Sequence, residues 1–566
     1  MLLLKDRAAR LAPLVLQGLA LAVFLGCAWA SFRRHVHIDE LSGLYAIQLG
    51  AAFGHAEYGT IELSSVLFRP LAWWFASSER LFIGFRWVEL ALLLGLCWSI
   101  SRVQSALPSV LGRAAAFLGA VSFGPLWRHG FEVRHDIFVA YLVVLLAWAG
   151  ERARRGRLDV WAASACGFGV IIAQANSSKA FTIALPAMAL CALFAARGQR
   201  PWPKRVLLAG LRFVPGIVAG CAVVVLAFAT TGMLREYGQQ LRHFTSFSSS
   251  PPYRLSALPL LTFSVERAPV HAGFALVGVL AALKRVFTRC PLDEAWVPLV
   301  ACALCGFSIL LNPTPFPYNL TWLSPAWLLL AAFGFGQALR FSARIQRGTL
   351  ALACAAGALS LFFFWRCEQD PYYRKQWDGQ LRVVSAAEAL TGPDDPVLDL
   401  CGLVITRPPV AKDWIVHSLY MPAYHAGERE TVRGIMQRVW PPVAVTVYRW
   451  SFLERSDWLA FRRNYLRFSD DVWVLGRVLG PNSGSIEIPR AGRYRVNGDG
   501  DDDGGTIDGQ ALHDGDVLWL GRGPHEVVTQ TAYTLTWNGP GDPGVPPPAA
   551  NPLFEPGELP KQRVDR

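Results

Sequence analysis

The sequence predicts a polytopic α-helical membrane protein of about eleven transmembrane helices, N-terminus in the cytoplasm and C-terminus outside it, followed by an extracytoplasmic α/β region and a β-sandwich-like region. Three observations predict it. The 566 residues are 53% hydrophobic and only 17% charged, with a positive mean hydropathy. Apolar runs close to the length that spans a bilayer recur along the first two thirds, separated by short charged clusters. At Trp365 the composition changes, and short alternating segments between glycine turns replace the apolar runs.

The apolar runs place spans at 11–30, 87–105, 110–127, 136–150, 158–175, 180–196, 207–231, 269–283, 295–312, 319–339 and 348–365. The basic residues set their direction. Lys5, Arg7 and Arg10 precede the first span. Every second loop is then basic: Arg102 and Arg113; Arg152, Arg154, Arg155 and Arg157; Arg197, Arg200, Lys204 and Arg205; Lys284, Arg285 and Arg289; Arg340, Arg344 and Arg347. Cytoplasmic loops carry this excess, so the N-terminus is inside, and an odd number of spans puts the C-terminus outside. The net charge of +12 is thus spread through loops, which argues against a nucleic-acid partner. Residues 1–30 also have a basic start and an Ala28-Trp29-Ala30 cleavage pattern. The apolar run is long for a signal peptide, so a retained first helix is expected, and the segment after it is exported in either case.

Three outward segments are sizeable: 31–86, 126–136 and the Ser/Pro-rich 232–268. Domains are expected at 1–365 (membrane), 366–483 (α/β), 484–540 (β-sandwich-like) and 541–566, a Pro-rich tail whose composition is that of a disordered segment. In the α/β part the pattern places helices near 379–391 and 427–438, and strands at "PVLDL", "VAVTVYRW" and "DVWVLGRVL". From 484 onward, "GSIEIP", "GRYRVNG", "GGTIDG", "DVLWLGRG" and "HEVVTQTAYTLTWN" read as strands. Most of the eleven cysteines lie inside spans, where Cys is a small apolar residue, Cys302 and Cys305 included. Cys367 and Cys401 fall on the oxidising side, where a disulfide is an open alternative to two thiols.

Charged residues near a membrane need a reason. Asp39 and Glu40 follow the first span in "HIDE". Arg69 lies in "LFRPLAWW". Glu132, Arg134 and Asp136 lie in "FEVRHD" at the start of the fourth span. Lys179 lies in "ANSSKAF", the turn between the fifth and sixth spans, and "NPTPFPYNLTWLSP" links the ninth and tenth. All fall on the same side. A carboxylate can take the proton of an acceptor hydroxyl. Lys and Arg can hold a phosphate and stabilise it as it leaves. A pocket at lipid level suits a substrate with a lipid tail. Together these describe transfer from a lipid-phosphate-linked donor.

The order of these motifs resembles that of the polytopic glycosyltransferases of the C-type fold, in particular the protein mannosyltransferase and aminoarabinose-transferase relatives. Asp39-Glu40 matches their "DE" pair in the first outer loop, and Arg69-Pro70-Leu71 an "RPL" stretch. "EVRHD" matches their second outer-loop motif, Ser178-Lys179-Ala180 a lysine turn, and "PTPFPYNLTWLSP" a Pro/Tyr-rich turn. The resemblance covers residues 1–365. It implies an enzyme that moves a hexose or pentose from a polyprenyl-phosphate carrier to a protein, lipid or glycan hydroxyl on the extracytoplasmic face, with inversion. Asp39 or Glu40 would act as base. Lys179, Arg134 and Arg69 would bind the donor phosphate, and Asp136 and Glu132 would position the acceptor or a divalent cation. No nucleotide sugar is implied, and the compact loops suggest a bacterial inner membrane.

Plainer readings stand beside these. The acidic pair could end a helix, Arg134 and Asp136 could pair with each other, and Lys179 could snorkel to the interface. His35 and His37 flank the pair at alternate positions without a further ligand pattern. Asp499, Asp501, Asp503 and Gly504 match the first half of a calcium loop, but its twelfth position is Gln510 rather than Glu, so a hairpin loop is expected. The rival function is a transporter or flippase of lipid-linked glycans. Transporters place polar groups mid-membrane on broken helices and often show internal repeats. Here the charges lie at helix ends.

Overall fold

The computed structural model describes residues 2–32, 44, 62–75, 77–103, 109–130, 132, 134, 136–177, 179–197, 201–235, 237–238, 241, 256–288, 295–312, 317–340, 343–369, 371–400, 402–408, 410, 424–469, 471–481, 484–498 and 504–540. The chain divides into two compact units. One comprises residues 1–33, 60–68 and 84–370; the other comprises 34–59, 69–83 and 371–566.

The helices in chain order are α1 (Leu2–Phe32), α2 (Leu63–Ala72), α3 (Ser78–Val103), α4 (Val110–Val121), α5 (Gly124–His129), α6 (Asp136–Arg154), α7 (Val160–Gln174), α8 (Ala180–Ala196), α9 (Trp202–Leu211), α10 (Val214–Thr230), α11 (Leu258–Arg267), α12 (Pro269–Phe287), α13 (Trp296–Leu311), α14 (Leu320–Leu339) and α15 (Ala343–Gln369). The described part of each of the eleven apolar runs lies mainly on helix. Two runs are broken where a proline opens a new first turn: Pro125 in α5 and Pro215 in α10. A proline lacks the N–H that continuing the previous helix would need, and its fixed φ suits a helix start. Two starts are capped by side chains: Ser109 accepts from Gly112 N at 3.0 Å and Asp159 from Ala162 N at 2.7 Å.

Among the described residues, Leu11–Phe32, Ser78–Val103, Trp202–Thr230 and Leu320–Leu339 are long and apolar enough to cross a membrane, and the bent pair Leu258–Arg267 and Pro269–Arg285 is a fifth such candidate. The chain is an integral membrane protein. Its apolar helices carry large hydrophobic side chains on their outer faces, Leu226 and Leu310 among them. Water would penalise that exposure; hydrocarbon does not.

With apolar tails outside, helices associate through close packing rather than through hydrophobic exclusion, and small residues permit it. A Cβ on Gly334 of α14 would lie 1.8 Å from the Phe274 carbonyl oxygen of α12, and one on Gly216 of α10 would lie 1.7 Å from the Ser164 carbonyl oxygen of α7. Both pairs therefore touch backbone to backbone. α3 supplies a charge the sequence reading passed over. Arg86 is fully buried and donates to the carbonyls of Ser31 at 2.8 Å and Phe32 at 3.5 Å. Those carbonyls are the orphan acceptors at the C-terminal end of α1, where a cation is favoured.

The second unit contains α16 (Pro371–Ala389), α17 (Val432–Val439), α18 (Arg455–Asn464) and the strands β1 (Val397–Leu398), β2 (Val443–Val445), β3 (Tyr465–Arg467), β4 (Val472–Leu479), β5 (Ser485–Ile488), β6 (Gly492–Gly498), β7 (Gly505–Ile507), β8 (Gln510–Leu512), β9 (Val517–Leu520), β10 (Gly523–Val528) and β11 (Tyr533–Trp537). One sheet runs β1-β2-β4-β11-β6-β9, with β3 also on β4; a second runs β5-β10-β7-β8. β1 and β2 are parallel, with α17 in the crossover between them. The expected strand "VAVTVYRW" stops at Val445 because its partner β4 begins opposite it, at Val472. One further bond, from Thr446 N to the Asp471 carbonyl at 2.8 Å, closes the ladder, and the chain turns into the 3₁₀ segment Tyr448–Phe452.

β4 pairs with β2 and β3 on opposite edges of its first half, where Trp473 and Val474 partner both, and with β11 along Gly476–Leu479, so the α/β and the all-β parts share a sheet. Alternation fills the core of the latter: Tyr494 and Val496 of β6, Leu518 and Leu520 of β9, and Tyr533 and Leu535 of β11 are buried. The helix α17 begins on a buried carboxylate. Asp457 accepts from Val432 N at 2.8 Å, Arg433 N at 3.1 Å and the Tyr424 hydroxyl at 2.6 Å.

Near the second sheet, His525 Nδ1 meets Asp508 Oδ2 at 2.5 Å and Nε2 meets the Gly521 carbonyl at 2.9 Å. Both partners are acceptors, so only the imidazolium fills both bonds. Burial lowers the His525 pKa, but the Asp508 bond and the Gly521 carbonyl outweigh it and the net shift is upward. The His525 bond, then the Glu526 backbone N–H, lower that of Asp508. The His contribution to stability is complete below its ordinary value of about 6.5 and is lost as pH rises through the raised folded value. The Asp contribution is present above about 4 and is lost as pH falls through the lowered one. Hydrogen exchange across β7 and β10, corrected for the intrinsic pH dependence, is expected to show greater protection at pH 5.5 than at pH 8. The difference should be at most about 1 kcal/mol, because the pair is partly solvated, and His525→Gln should abolish it.

Candidate active site

Four segments of the first unit meet where several of its helices end or begin. The first is the start of α2. Leu63 N donates to the Ala175 carbonyl at 3.2 Å and Ser64 N to Asn176 Oδ1 at 2.8 Å. The second is the lead into α6, with Glu132, Arg134 and Asp136. The third is the tight turn between α7 and α8. Asn176 N and Ser177 N return to the Ala173 carbonyl at 3.1 and 2.8 Å, and Ala180 N returns to Ser177 O at 3.1 Å. Lys179 stands on this turn and immediately precedes α8. The fourth is the 3₁₀ turn Pro317–Asn319 that leads into α14.

Asp136 is 1% exposed at the first position of α6. A carboxylate there is favoured by the positive end of the helix dipole, but its burial demands partners. Arg134 Nε lies 3.2 Å from Oδ2, and Lys179 Nζ lies 3.8 Å from Oδ1. Lys179 also donates to Asn319 Oδ1 at 2.7 Å, and Trp322 Nε1 donates to the same oxygen at 3.3 Å. The Tyr318 ring lies beneath both cations, 3.8 Å from the Arg134 guanidinium carbon and 5.0 Å from Lys179 Nζ. An aromatic face attracts cations in this range. Two positive groups are thus held close together by one carboxylate, one amide oxygen and one ring.

Burial lowers the Lys179 pKa from its ordinary value. The Asp136 carboxylate acts against this, Arg134 lowers it further, and Glu62 raises it, with the net shift downward. A partly desolvated ammonium with an unused N–H beside a guanidinium makes a receptor for an anion. Lys179 carries three N–H donors; Asn319 takes one, and Asp136 at 3.8 Å pairs with its charge beyond hydrogen-bond length.

The structure therefore brings together Arg134, Asp136 and Lys179. Glu132 is buried just ahead of them. Arg69, in the last turn of α2, falls in the second unit, where its Nε is buried without a hydrogen-bond partner. Asp39 and Glu40 lie outside the described residues, as do His35, His37, Ser178, Cys401, the 499–503 loop and the Cys367 side chain. No group of three or more His, Cys, Asp or Glu side chains that could hold a metal occurs among the described residues.

Reading the sequence picked out the segments carrying Asn176, Tyr318, Asn319 and Trp322, but not these residues as participants. Their role as supports depends on neighbours distant in the chain. Glu62, Arg86 and Glu89 were missed altogether. The buried pair Arg86 and Glu89 could have been found as charges at the edge of and within an apolar run.

No protein-family model matches the chain, and no curated protein matches it in sequence. Solved structures match its fold. ArnT from Cupriavidus metallidurans, in a crystal structure bound to undecaprenyl phosphate, matches 81% of this chain and 97% of its own at 14% identity, with a TM-score of 0.54. The archaeal oligosaccharyltransferase AglB from Archaeoglobus fulgidus, in complex with an inhibitory peptide and a dolichol-phosphate, matches 80% of this chain and 73% of its own at 11% identity, with a TM-score of 0.45. A second Archaeoglobus fulgidus oligosaccharyltransferase structure, with Zn and sulfate, covers 79% and 72% at 11% identity, with a TM-score of 0.41. The likeness to ArnT is one of fold: this chain has the C-type glycosyltransferase fold that its motif order implied.

Proposed function

We propose that this chain is a membrane glycosyltransferase that takes a sugar from a polyprenyl-phosphate-linked donor and places it, with inversion, on a protein, lipid or glycan hydroxyl outside the cytoplasm. One observation carries the reading: a half-buried Lys179 and a nearly buried Arg134 form a cation pair around the buried Asp136 and over Tyr318. It stands in a fold shared with a protein solved bound to undecaprenyl phosphate. A phosphate that must leave carries growing negative charge as the bond from the anomeric carbon to its oxygen breaks. Fixed cations in a site shielded from water stabilise that charge without reorganising.

In this reading Lys179 and Arg134 bind the donor phosphate. Asp136 holds the two cations in place, and with Glu132 positions the acceptor. Asp39, or Glu40 beside it, takes the proton from the acceptor hydroxyl as its oxygen attacks the anomeric carbon. The N-terminus is cytoplasmic, the C-terminal region extracytoplasmic, and the membrane a bacterial inner membrane. A divalent cation near Asp136 and Glu132 is not needed for this scheme. The transporter alternative gains nothing from the site, whose charges gather at helix ends rather than on a helix broken at mid-membrane.

The test supplies membranes containing the chain with a panel of labelled polyprenyl-phosphate hexoses and pentoses. Transfer of label from one donor to an acceptor, without any nucleotide sugar, is the expected result. Movement of a lipid-linked glycan across the bilayer, with no transfer from any donor, would replace the enzyme by a transporter.

A further inference from the structure

Asn319 offers a hydrogen-bond donor that the protein itself does not use. The residue is fully buried. Its side-chain oxygen accepts from Lys179 Nζ at 2.7 Å and from Trp322 Nε1 at 3.3 Å. An ammonium and an indole N–H can only donate. The amide therefore cannot be turned over: the oxygen must face Lys179 and Trp322, and the nitrogen must face away from them. That nitrogen, Nδ2, is buried and has no hydrogen-bond partner. Buried polar groups in native proteins are rarely left this way, and the exceptions call for an explanation.

A structural explanation accounts for only half of the side chain. Holding Lys179 needs the oxygen alone, and a carboxylate would hold an ammonium more strongly than an amide does. What the amide adds is a neutral donor beside a cation. That combination suits an anionic oxygen that must be gripped from two sides. Asn319 also immediately precedes α14, where the positive end of the helix dipole favours negative charge. We infer that Asn319 contacts the substrate: its Nδ2 donates to a phosphate oxygen of the lipid-linked donor while its Oδ1 steers Lys179 toward the same phosphate. This rests on the reading of the site as one that binds a polyprenyl phosphate.

Asn319→Asp separates the two halves. It keeps size and an oxygen for Lys179 and Trp322, and it replaces the donor by a second oxygen that repels a phosphate. The new carboxylate also offsets the Lys179 charge, so a loss is assigned to the donor only where the Lys179→Met and Asn319→Leu cycle below shows it without the lysine. Binding of undecaprenyl phosphate, with undecaprenol as the uncharged control, is measured on the full-length protein in nanodiscs. The expected result is at least a tenfold loss of affinity for the phosphate in Asn319→Asp, about 1.4 kcal/mol, with undecaprenol binding unchanged. Unchanged phosphate affinity in a wild-type background that prefers the phosphate would overturn the role of Asn319 and leave the proposed function standing. A wild type that does not distinguish phosphate from alcohol would remove both.

Whether or not the Asp variant folds, a double-mutant cycle decides. Lys179→Met with Asn319→Leu should bind more weakly than Lys179→Met alone. Equal binding would mean that Asn319 acts only through the lysine.

Discussion

Lys179→Met is expected to lower sugar transfer by about 10²–10³-fold, the range seen when one donor to a developing charge is removed from an active site. The size follows from position. Lys179 is the ammonium nearest Asn319 and Asp136, and it shares the face of Tyr318 with Arg134. In the proposed scheme, removing it takes a cation from the leaving phosphate. It also leaves the buried Asp136 with less positive charge around it, and an under-compensated buried carboxylate is destabilising. Lys179→Arg should recover part of the activity, since it restores charge but not the compact point donor.

The pH profile separates an electrostatic role from a packing one. The lowered pKa of Lys179, driven first by burial, means that the ammonium is lost earlier on the alkaline side than an exposed lysine would be. Wild-type kcat/KM should therefore fall as pH rises through that lowered value. In Lys179→Arg the guanidinium does not titrate in this range, and the same alkaline fall should disappear. An identical alkaline limb in both proteins would assign it to another group.

The second large effect is expected at Asp39. Asp39→Asn should reduce kcat by about 10²–10⁴-fold, the usual contribution of a positioned general base. Affinity for undecaprenyl phosphate and the amount of protein in the membrane should stay the same. The pairing with Glu40 makes the comparison informative. Normal transfer in Asp39→Asn together with loss in Glu40→Gln would move the base to Glu40. Loss of phosphate binding in Asp39→Asn would mean that the residue serves the donor site instead. Both residues lie outside the described part of the chain, so this prediction stands on their place in the motif order.

The two predictions draw on different sources. Lys179 was singled out in the sequence because a charge in a tight turn between apolar runs is costly. Its partners could not be read there. Asn319 is 140 residues away in the chain, and Asp136 is reached only because α6 and the α7–α8 turn pack side by side. Tyr318 reads in the sequence as one aromatic in a proline-rich linker; its ring becomes a support for two cations only after α14 docks. Arg86 shows the same limit from the other direction. Its charge at the edge of an apolar run is visible, but the carbonyl oxygens of Ser31 and Phe32 that satisfy it belong to another helix.

The sequence by itself determined where helices form, because an apolar run of bilayer length closes its backbone hydrogen bonds within itself wherever it is placed. It also determined the alternation of the C-terminal strands and the order of motifs that announces the fold. The tertiary structure alone decided which charges meet and which strands share a sheet. β4 illustrates the second point: its pattern predicts a strand, while its neighbours β2, β3 and β11 come from both sides of the expected boundary at 483–484. The physical reason is the same in each case. Periodicity is a local property, fixed by neighbours three or four residues away. An ion pair, a cation over a ring or a strand pairing is a meeting of distant segments, and it exists only once packing has brought them within a few ångströms.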